Sequence, residues 1–353
     1  MLRGALIGAG NIARNGHLPA YLQPELRERL DIVAVADLCP DNLAAFAKQL
    51  PNVRTYRDAA TLLQEERPDF VDICTPPYAH RALIAQAVAA GCHTLCEKPL
   101  ATDLEEALLI RSLVQGRGVV LMPCHQYHYA PQWLALRALI ESGELGAVHG
   151  AELVVERTGA NAGAVGWQPL WRTQEALAGG GILVDHGAHL FYQLHALFGP
   201  PASLSCRTER RLPSYTVDDT AELELRYPAG VARLRLTWAA AARRSTHRYT
   251  GELGEVACDD DAIFVRGERG ERHISFADGL SRGSAHSDWF VPLLAGFADR
   301  IAALDCGLEP LDEAIAVAAY ISRAYESAKR DGDPVAWHDP VPAPAAASLA
   351  AAD

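Results

Sequence analysis

Short, continuous hydrophobic runs divide the first third of the chain, and longer amphipathic stretches separate each run from the next. Strong runs lie at 4–8, 31–37, 69–75, 93–96 and 119–123, with a weaker one at 53–56. The stretches between them have helical spacing of apolar residues at 42–50, 59–66, 79–90 and 104–115. Strands that alternate with helices of this length predict βαβ units and a parallel sheet with helices on both faces.

A different pattern begins after residue 124. A helix is predicted at about 131–142, a strand at 147–157 and, after a polar, glycine-rich loop, a helix at about 182–198. Polar and apolar residues then alternate in six segments, at 203–210, 221–227, 232–238, 255–258, 262–265 and 272–276. Two helices at about 289–304 and 311–328 follow. Alternation with a period of two predicts an antiparallel sheet with one polar and one apolar face.

The fold class predicted from these patterns is α/β followed by α+β. A chain of 353 residues favours two domains. We predict a parallel-sheet domain at residues 1–124 and, at 125–338, a domain built on a large, open, mainly antiparallel sheet. The remaining residues, 339–353, are rich in alanine and proline and are predicted to be a disordered tail.

Charge and composition exclude several classes of partner. The chain has 32 Lys and Arg against 44 Asp and Glu, a formal net charge of −12. This balance argues against nucleic acid and against an anionic membrane as partners, although it leaves room for a local basic pocket. No run approaches the roughly 20 apolar residues of a membrane span. The eight cysteines form no CxxC pair, so we expect a reduced, cytoplasmic enzyme without a bound metal.

A glycine motif follows the first predicted strand and opens the first helix. Gly8, Gly10, Asn11, Ile12 and Ala13 belong to the sequence GAGNIA, a G-x-G-x-x-A variant of the dinucleotide fingerprint. Gly8 permits a tight turn, Gly10 lets the backbone approach a pyrophosphate, and the helix N-terminus favours negative charge. The required context, a strand before and a helix after, is present. The motif therefore predicts a Rossmann domain that binds a dinucleotide.

The end of the second strand indicates which dinucleotide. Asp37 closes the run DIVAVAD, where a carboxylate accepts hydrogen bonds from the adenosine ribose hydroxyls. A turn or helix cap before Pro40 is the alternative role for this residue. Since Leu38, Cys39 and Pro40 bring no positive charge for a 2′-phosphate, we predict NAD over NADP as the cofactor.

Further motifs stand at later strand ends. Thr75, Pro76 and His80 follow the fourth main strand, and Glu97-Lys98-Pro99 follow the next. Later in the chain stands Gly179-Gly180-Gly181-x-x-x-Asp185-x-Gly187-x-His189. Together with GAGNIA, these motifs resemble the Gfo/Idh/MocA oxidoreductases, the family of glucose-fructose oxidoreductase and inositol dehydrogenase. The likeness extends over nearly the whole chain, to about Trp337.

The resemblance implies roles for individual residues. It implies that Lys98, Asp185 and His189 line the site of hydride transfer, that Pro76 and His80 border the nicotinamide, and that Lys98-Pro99 is a cis peptide. It also implies a second domain whose open sheet commonly forms a subunit interface. The segment after the sixth strand, CHQYHYAP, departs from the Asn or Arg residues often found there, so its substrate contacts stay open. Within it we place Gln126 nearest the cofactor.

The chemistry of the residues agrees with these roles. A histidine titrates near neutral pH, which suits it to accept the proton that hydride transfer leaves on oxygen. We assign His189 as general acid/base, Lys98 as the electrostatic partner and Asp185 as acceptor of a substrate hydroxyl. Two alternatives are a plain surface pair and metal ligation by Asp185 and His189, since residues four apart share one helix face.

Residues with less direct signals complete the candidate site. Aromatic and basic side chains near the motifs suit a polyhydroxylated ring, and the candidate substrate contacts are Tyr127, His128, Trp171 and Arg172. For Arg172 a structural salt bridge and a bond to an anionic group are equally open. His125 and His128 are open between substrate contact and packing, while His186 and His195 are expected to be structural. The candidate cofactor contacts are Gly8, Gly10, Asn11, Ile12, Asp37, Thr75, Pro76, His80, Glu97, Lys98 and Gln126.

The leading functional hypothesis is an NAD-dependent oxidoreductase acting on CH–OH groups of a sugar, cyclitol or related polyol. One alternative is an enzyme that keeps NAD bound through a closed redox cycle, as in epimerisation or glycoside cleavage. Another is a non-catalytic NAD-binding regulator, against which the joint presence of Lys98, Asp185 and His189 argues. We also expect a homodimer or homotetramer, because an open sheet with an uncovered apolar face is costly in water.

Overall fold

Two sheets organise the chain in the computed structural model, which describes residues 1–164, 166–282 and 285–341. The first sheet has six parallel strands in the order β3-β2-β1-β4-β5-β6. Its strands are β1 (Leu2–Ile7), β2 (Leu30–Ala36), β3 (Arg54–Tyr56), β4 (Phe70–Ile73), β5 (His93–Glu97) and β6 (Leu121–Cys124). All four residues of β4 are buried, as expected for a strand covered on both faces. The predicted Rossmann sheet is confirmed.

Helices cover both faces of this sheet. They are α1 (Leu18–Tyr21), α2 (Pro24–Arg27), α3 (Pro40–Gln49), α4 (Ala59–Glu66), α5 (His80–Ala89) and α6 (Leu104–Val114). The helical run after the glycine motif spans residues 11–21, and its middle, Ala13–His17, is π-helical. Strands β2 and β4 lie on opposite sides of β1. Connections therefore leave β1 and β4 in opposite directions and open a crevice at their carboxyl ends.

The second sheet has nine strands in the order β14-β13-β12-β11-β7-β10-β9-β8-β15. The bounds are β7 (Val148–Glu156), β8 (Ser203–Glu209), β9 (Thr220–Tyr227), β10 (Gly230–Thr237), β11 (Arg244–Gly251), β12 (Gly254–Asp259), β13 (Ala262–Gly267), β14 (Gly270–Ser275) and β15 (Val335–Ala336). Strand β10 runs parallel to β7, and the other neighbours pair antiparallel. The predicted mainly antiparallel sheet is confirmed.

Strand β11 is absent from the sequence prediction although it lies near the centre of the sheet. Its inward residues include Ser245, His247 and Tyr249, all buried. Polar inward side chains hide the alternation of apolar and polar residues by which half-buried strands are found. Its pairing with β7 and β12 places it in the sheet.

The remaining helices cover the inner face of the second sheet and link the two halves. They are α7 (Pro131–Glu141), α8 (Glu175–Ala178), α9 (Ile182–Asp185), α10 (Gly187–Phe198), α11 (Ser287–Ala302) and α12 (Glu309–Ala328). Helix α10 packs with Leu234, Trp238 and Tyr320 in the core of the second half. Within the described residues, none of the helices is long and apolar enough to cross a membrane.

Helix α11 returns to the first half of the chain. Its Phe290 and Phe297 are fully buried in one core with Leu6, Leu18 and Phe70. The predicted domain boundary at residue 124 therefore remains a prediction. One of the hydrophobic cores beside the parallel sheet includes α11, a helix that lies after this boundary in the sequence. The predicted disordered tail, 339–353, lies outside the described residues from 342 onward.

The outer face of the second sheet is charged, which is a correction to the expected apolar face. Arg233 and Arg226 bond to Glu224, Arg235 to Glu156, and Arg244 to Asp259. These side chains are the alternate positions of strands whose other positions are buried. The expectation of self-association from an uncovered apolar surface therefore loses its physical basis.

Candidate active site

A cleft at the carboxyl ends of the parallel strands brings most of the predicted site residues together. It runs from the glycine motif to the start of α10 and is roofed by the loop after β7. The predicted residues that line it are Gly8, Gly10, Asn11, Ile12, Asp37, Thr75, Pro76, Glu97, Lys98, Gln126, Tyr127, Trp171, Arg172, Asp185 and His189. Ligands of doubly wound sheets bind at this position.

The glycine motif has the shape that a pyrophosphate requires. Gly8 adopts a φ of +99°, and a Cβ there would lie 2.9 Å from the Cys74 backbone. A Cβ on Gly10 would meet nothing within 4 Å, so its backbone borders open space in the cleft. Farther along, the buried Thr75 Oγ1 and Gln126 Oε1 have no hydrogen-bond partner among the described residues. These features fit a bound dinucleotide.

Asp37 lies at the adenosine end of the cleft and serves the loop as well. Its Oδ2 accepts a hydrogen bond from the Ala9 N–H at 2.7 Å, and its Oδ1 accepts one from the Cys39 N–H at 2.7 Å. Asn42 Nδ2 also donates to Oδ1 at 3.3 Å and to Oδ2 at 3.2 Å. The turn role of Asp37 is thus observed, and its contact with the ribose stays a prediction. Sequence reasoning missed Arg57, which lines the same end and donates to the Leu38 carbonyl.

Close packing explains the three successive glycines. A Cβ on Gly180 would lie 2.2 Å from the Tyr325 hydroxyl, and one on Gly181 would lie 1.8 Å from the Asp218 carbonyl. The Asp218 carboxylate accepts hydrogen bonds from Gly181 N–H at 2.9 Å and Leu183 N–H at 3.1 Å. These two hydrogen bonds fix the start of α9. They therefore also fix the position of Asp185 at the end of this short helix.

The predicted single helix at 182–198 is interrupted at His186. Helix α9 ends at Asp185 and α10 begins at Gly187, with the backbone of His186 at φ −103° and ψ −32°. The argument that Asp185 and His189 share one face of one helix is therefore wrong. Both residues still line the cleft, because the chain continues into α10 after the interruption at His186. The break also brings His186, expected to be structural, into the lining.

Asp185 is surrounded by basic side chains. Lys98 Nζ lies 3.2 Å from Asp185 Oδ1 and donates to the Asp185 carbonyl at 2.9 Å. His186 Nδ1 lies 3.3 Å from Oδ2, and Arg172 Nε lies 3.7 Å from Oδ1. Burial alone raises the pKa of the Asp185 carboxyl, but Lys98, His186 and Arg172 together hold it well below its usual range. Asp185 is therefore a carboxylate at neutral pH.

His189 is presented to the cleft by the first turn of α10. The Tyr127 ring packs on its imidazole with 3.9 Å between ring centroids. Among the residues that the structure describes, no hydrogen bond engages its ring nitrogens. Burial, reinforced by the charge of Lys98, lowers the pKa of His189 well below its usual range. The imidazole is therefore neutral near pH 7 and ready to accept a proton.

A buried charge network lies behind Lys98. His17 Nδ1 is 2.7 Å from Asp72 Oδ2, and His17 Nε2 is 2.9 Å from Glu97 Oε1. The other Glu97 oxygen accepts the Lys98 backbone N–H at 3.0 Å. Burial opposes a charge on His17, but Asp72 and Glu97 outweigh it and raise its pKa to about 10. The network holds Glu97 and the Lys98 backbone in place; the sequence reasoning did not single out His17.

The described residues contain two groups whose ligand atoms are close enough to hold a metal, and both include His17. One is His17, Asp72 and Cys74, and the other is His17, Glu97 and Cys124. The His17 nitrogens are already at hydrogen-bond distance from the two carboxylates. Asp185 and His189 do not form such a group with a third ligand among the described residues.

Two predicted contacts lie away from the cleft lining. His80 is fully buried, with Nε2 2.8 Å from the Thr75 carbonyl and Nδ1 3.0 Å from the Leu100 carbonyl. It therefore ties two loops together, and its contact with the nicotinamide stays a prediction. His128 faces Tyr192, whose hydroxyl lies 3.3 Å from its Nδ1, and it is packed under the site.

At the substrate end of the lining, sequence reasoning also missed the polar residues Arg157, Asn161 and Arg243. Arg157 follows β7, and Arg243 precedes β11, so pairing of these two strands brings them side by side. The two arginines lie far apart in the sequence. Their proximity could not be predicted, because it depends on strand β11, which the sequence analysis missed. Trp167, another lining residue, stacks near Tyr78 at the mouth with 6.3 Å between ring centroids.

Comparison with protein-family models covers both halves of the chain. Residues 2–125 match the oxidoreductase family with an NAD-binding Rossmann fold, and residues 133–271 match the GFO/IDH/MocA C-terminal domain. The chain belongs to the Gfo/Idh/MocA oxidoreductase family. Its N-terminal half is accordingly an NAD-binding Rossmann domain. The expected cis peptide of this family, Lys98-Pro99, is present.

Curated relatives of this Gfo/Idh/MocA chain include sugar dehydrogenases. D-glucoside 3-dehydrogenase from Escherichia coli (strain K12) is 32% identical over 201 residues, which are 57% of this chain and 55% of that protein. D-apiose dehydrogenase from Paraburkholderia graminis is 30% identical over 254 residues, 72% of this chain and 64% of that protein. The chain thus spans less than two thirds of the length of these relatives.

Solved structures share the fold over nearly the whole chain. An oxidoreductase from Agrobacterium radiobacter, in complex with NAD+, L-tartaric acid and magnesium, has a TM-score of 0.83 and 24% identity. That likeness covers 95% of this chain and 98% of the other. An inositol dehydrogenase homolog from Azotobacter vinelandii, complexed with NAD+, has a TM-score of 0.80 and 22% identity, with 95% and 97% covered.

Proposed function

We propose that this protein is an NAD-dependent oxidoreductase that acts on a CH–OH group of a sugar, cyclitol or related polyol. The observation that carries the proposal is the meeting of Lys98, Asp185 and His189 at one end of the dinucleotide cleft. The relatives named as glucoside and apiose dehydrogenases support the same class of substrate.

The chain's own residues supply the proton chemistry and the positioning. When bound, oxidised nicotinamide accepts a hydride from the carbinol carbon. The neutral His189 takes the hydroxyl proton, so that a C=O bond forms as the C–H and O–H bonds break. Lys98 stabilises the negative charge that develops on the oxygen. Asp185 holds the Lys98 ammonium and accepts a hydrogen bond from a substrate hydroxyl.

The cofactor is held by the motif residues at the other end of the cleft. The backbone around Gly10 and Asn11 would hold the pyrophosphate, and Asp37 would lie beside the adenosine ribose. Thr75 Oγ1 and Gln126 Oε1, buried without partners among the described residues, provide polar contacts toward the nicotinamide half. Asp37 favours NAD, since a carboxylate repels a 2′-phosphate in a partly buried cleft.

The test is a screen of neutral sugars, inositols, amino sugars and sugar acids for formation of NADH. The Lys98→Met variant is the matched control, because it removes the charge while keeping a long side chain. We expect at least one polyol to yield NADH with the wild type and little with the variant. Tight NAD retention without net NADH supports the closed redox cycle instead, and NADH binding without any turnover supports the regulator.

We also propose that the protein self-associates through the charged outer face of the second sheet. The arginines and glutamates of this face pair with one another within the chain but stay at least one-quarter exposed, so that they can also reach charges of a second copy. Light scattering at low salt should show a dimer or larger assembly that weakens as salt rises. Monomers at micromolar concentration in low salt would argue against this interface.

The cysteines favour a reducing compartment such as the cytoplasm. All eight are free thiols, and seven are buried in the cores. Disulfides form readily in oxidising compartments, where so many free thiols are uncommon. Cell fractionation with a tagged protein tests this location, and recovery from an oxidising compartment would contradict it.

A further inference from the structure

Two large apolar side chains of the cleft lining are open to solvent. Leu38, which directly follows Asp37, is 61% exposed, and Tyr78, which follows β4, is 44% exposed. Both line the cleft. Apolar side chains that are exposed in a concave site suit the flat, apolar part of a ligand.

The roof of the cleft adds an aromatic ring beside Tyr78. Trp167 belongs to the loop after β7, in the second half of the chain, and it is half-buried in the lining. Its ring lies at 9° to the plane of the Tyr78 ring, with 6.3 Å between the centroids. This is the arrangement of an offset stack, in which each ring leaves part of its face uncovered. The two rings, one from each half of the chain, therefore present nearly parallel faces at one place in the cleft.

The roof loop touches the first half of the chain close to Asp37, at the adenosine end of the cleft. Gly166 packs directly against the segment that follows β2. A Cβ on Gly166 would collide with Cys39 Sγ and would lie 3.5 Å from Asp41 Cβ. Since Trp167 is the next residue in the chain, its ring belongs to this end of the cleft.

Hydrogen bonds hold the loop over the cleft. The Trp167 N–H donates to the Ala164 carbonyl at 3.2 Å, which closes a turn. Asn11, in the glycine motif, donates from Nδ2 to the Ala162 carbonyl at 3.3 Å. The loop is thereby joined to the motif as well as to the segment after β2, so that the Trp167 ring has a defined place.

The chemistry of NAD decides which part of the cofactor fits these rings. Its phosphates belong at the glycine motif, and its riboses are polar. Its nicotinamide belongs beside Lys98 and His189, where the proton chemistry is placed. Adenine is the remaining ring, and its flat faces stack well on aromatic side chains.

We propose that the adenine of NAD stacks on an aromatic wall formed by Tyr78 and Trp167, with Leu38 as a further apolar contact. Because the two rings come from different halves of the chain, the adenosine end of the cofactor is held by both halves. The proposal depends on NAD binding and not on the proposed oxidation, since it assigns no step of the reaction to either ring.

The test divides the cofactor into its two parts. Calorimetry measures the affinity of the whole protein for NADH, for ADP-ribose, which lacks the nicotinamide, and for reduced nicotinamide mononucleotide, which lacks the adenosine. Trp167→Ala should weaken NADH and ADP-ribose by the same factor, about tenfold, as expected when a base loses one aromatic partner. The affinity for the mononucleotide should be unchanged. Leu170→Ala is the matched control, because Leu170 is an exposed residue of the same loop and does not line the cleft.

Tryptophan emission gives a second readout that does not depend on affinity. Saturating ADP-ribose should quench part of the emission of the wild type, because the base stacks on the Trp167 ring. Trp167→Phe keeps an aromatic ring, so it should bind ADP-ribose almost as tightly as the wild type but lose this quenching.

Each other outcome contradicts the aromatic wall. Unchanged affinity of Trp167→Ala for ADP-ribose overturns it, and so does a loss confined to NADH and the mononucleotide, which places the ring at the nicotinamide. An equal loss for both parts of the cofactor shows that the two rings only close the roof. Where the mononucleotide binds too weakly to measure, the emission decides, since equal quenching in the wild type and Trp167→Phe overturns the wall. Failure to oxidise any polyol refutes the proposed function alone.

Discussion

Lys98 Nζ and Asp185 Oδ1 lie 3.2 Å apart, although the two residues come from different halves of the chain. The ammonium also donates to the Asp185 carbonyl. One bond to a backbone atom and one to a side chain fix the ammonium in two directions. This pairing joins the end of a parallel strand to the end of α9, and it places a positive charge beside His189.

Removal of the proton acceptor should impair chemistry more than binding. His189→Ala is expected to reduce kcat by about 10²–10⁴-fold, the range for loss of a general acid/base. NADH affinity, measured by fluorescence titration, should stay within about threefold of the wild type, since His189 lies beyond the dinucleotide's phosphates. His195→Ala, farther along α10, serves as the control. Normal turnover by His189→Ala would refute the assignment.

The pH profile should show a base that is already neutral at pH 7. Because the pKa of His189 is held well below 6.5, kcat/KM for oxidation should stay constant near neutrality and fall only below 6.5. The sign follows from protonation, which removes the acceptor as the pH decreases. An acid limb centred above 6.5 in the wild type would contradict this environment for His189.

Lys98 should affect the catalytic constant in addition to the Michaelis constant. Lys98→Met removes the charge that stabilises the developing alkoxide, so we expect a kcat loss of about 10²–10³-fold. Lys98→Arg keeps a positive charge and should retain more activity than the Met variant. A change in KM alone would make Lys98 a binding residue and not a catalytic one.

The buried network around His17 should make stability depend on alkaline pH. Its pKa is raised from 6.5 to about 10, so its contribution is fully present below 6.5 and is lost as the pH rises toward about 10. His17→Asn should lower the free energy of unfolding by about 3–5 kcal/mol, since two carboxylates lose their buried partner. In the His17→Asn variant the free energy of unfolding should also decrease less steeply as the pH rises.

Chemical denaturation at several pH values measures both effects on His17. His149→Asn, at an exposed position, is the matched control and should behave as the wild type. A variant whose unfolding free energy depends on alkaline pH as the wild type's does would show that His17 is not the titrating group.

The cofactor preference should depend on Asp37 and Arg57 together. Asp37→Ser removes the repulsion toward a 2′-phosphate and leaves Arg57 beside it. Loss of charge-assisted hydrogen bonds to the ribose is worth about 1.5–3 kcal/mol, or one to two powers of ten in the NAD-to-NADP efficiency ratio. Adding Arg57→Gln should reverse the gain for NADP. A wild type that prefers NADP would contradict the role of Asp37.

Much of the fold and cofactor cleft follows from local signals. Apolar runs reveal strands that are buried on both faces, and functional residues at their carboxyl ends must meet in one crevice. Asp37, Thr75 and Lys98 were found in this way. The glycine motif adds a backbone requirement that few residues satisfy, so its position is readable from the sequence alone.

Other features depend on tertiary contacts that leave no local pattern. Strand β11 is polar on its inward face, and the pairing of Arg157 with Arg243 depends on that strand. Nothing in the sequence around His17 indicates its role, because its partners Asp72 and Glu97 contact its two ring nitrogens only in the folded protein. The break at His186 follows from the fixed start of α9, which is set by Asp218 from a distant loop.

The central claim, hydride transfer from a carbinol carbon to nicotinamide at Lys98, Asp185 and His189, is tested most directly by isotope transfer. The protein is given NAD and a substrate deuterated at the reacting carbon, and the isolated cofactor is analysed by mass spectrometry. The account predicts that reduced nicotinamide carries the deuterium with the wild type and scarcely any with His189→Ala. Reduced cofactor without deuterium, or equal transfer by His189→Ala, would contradict it.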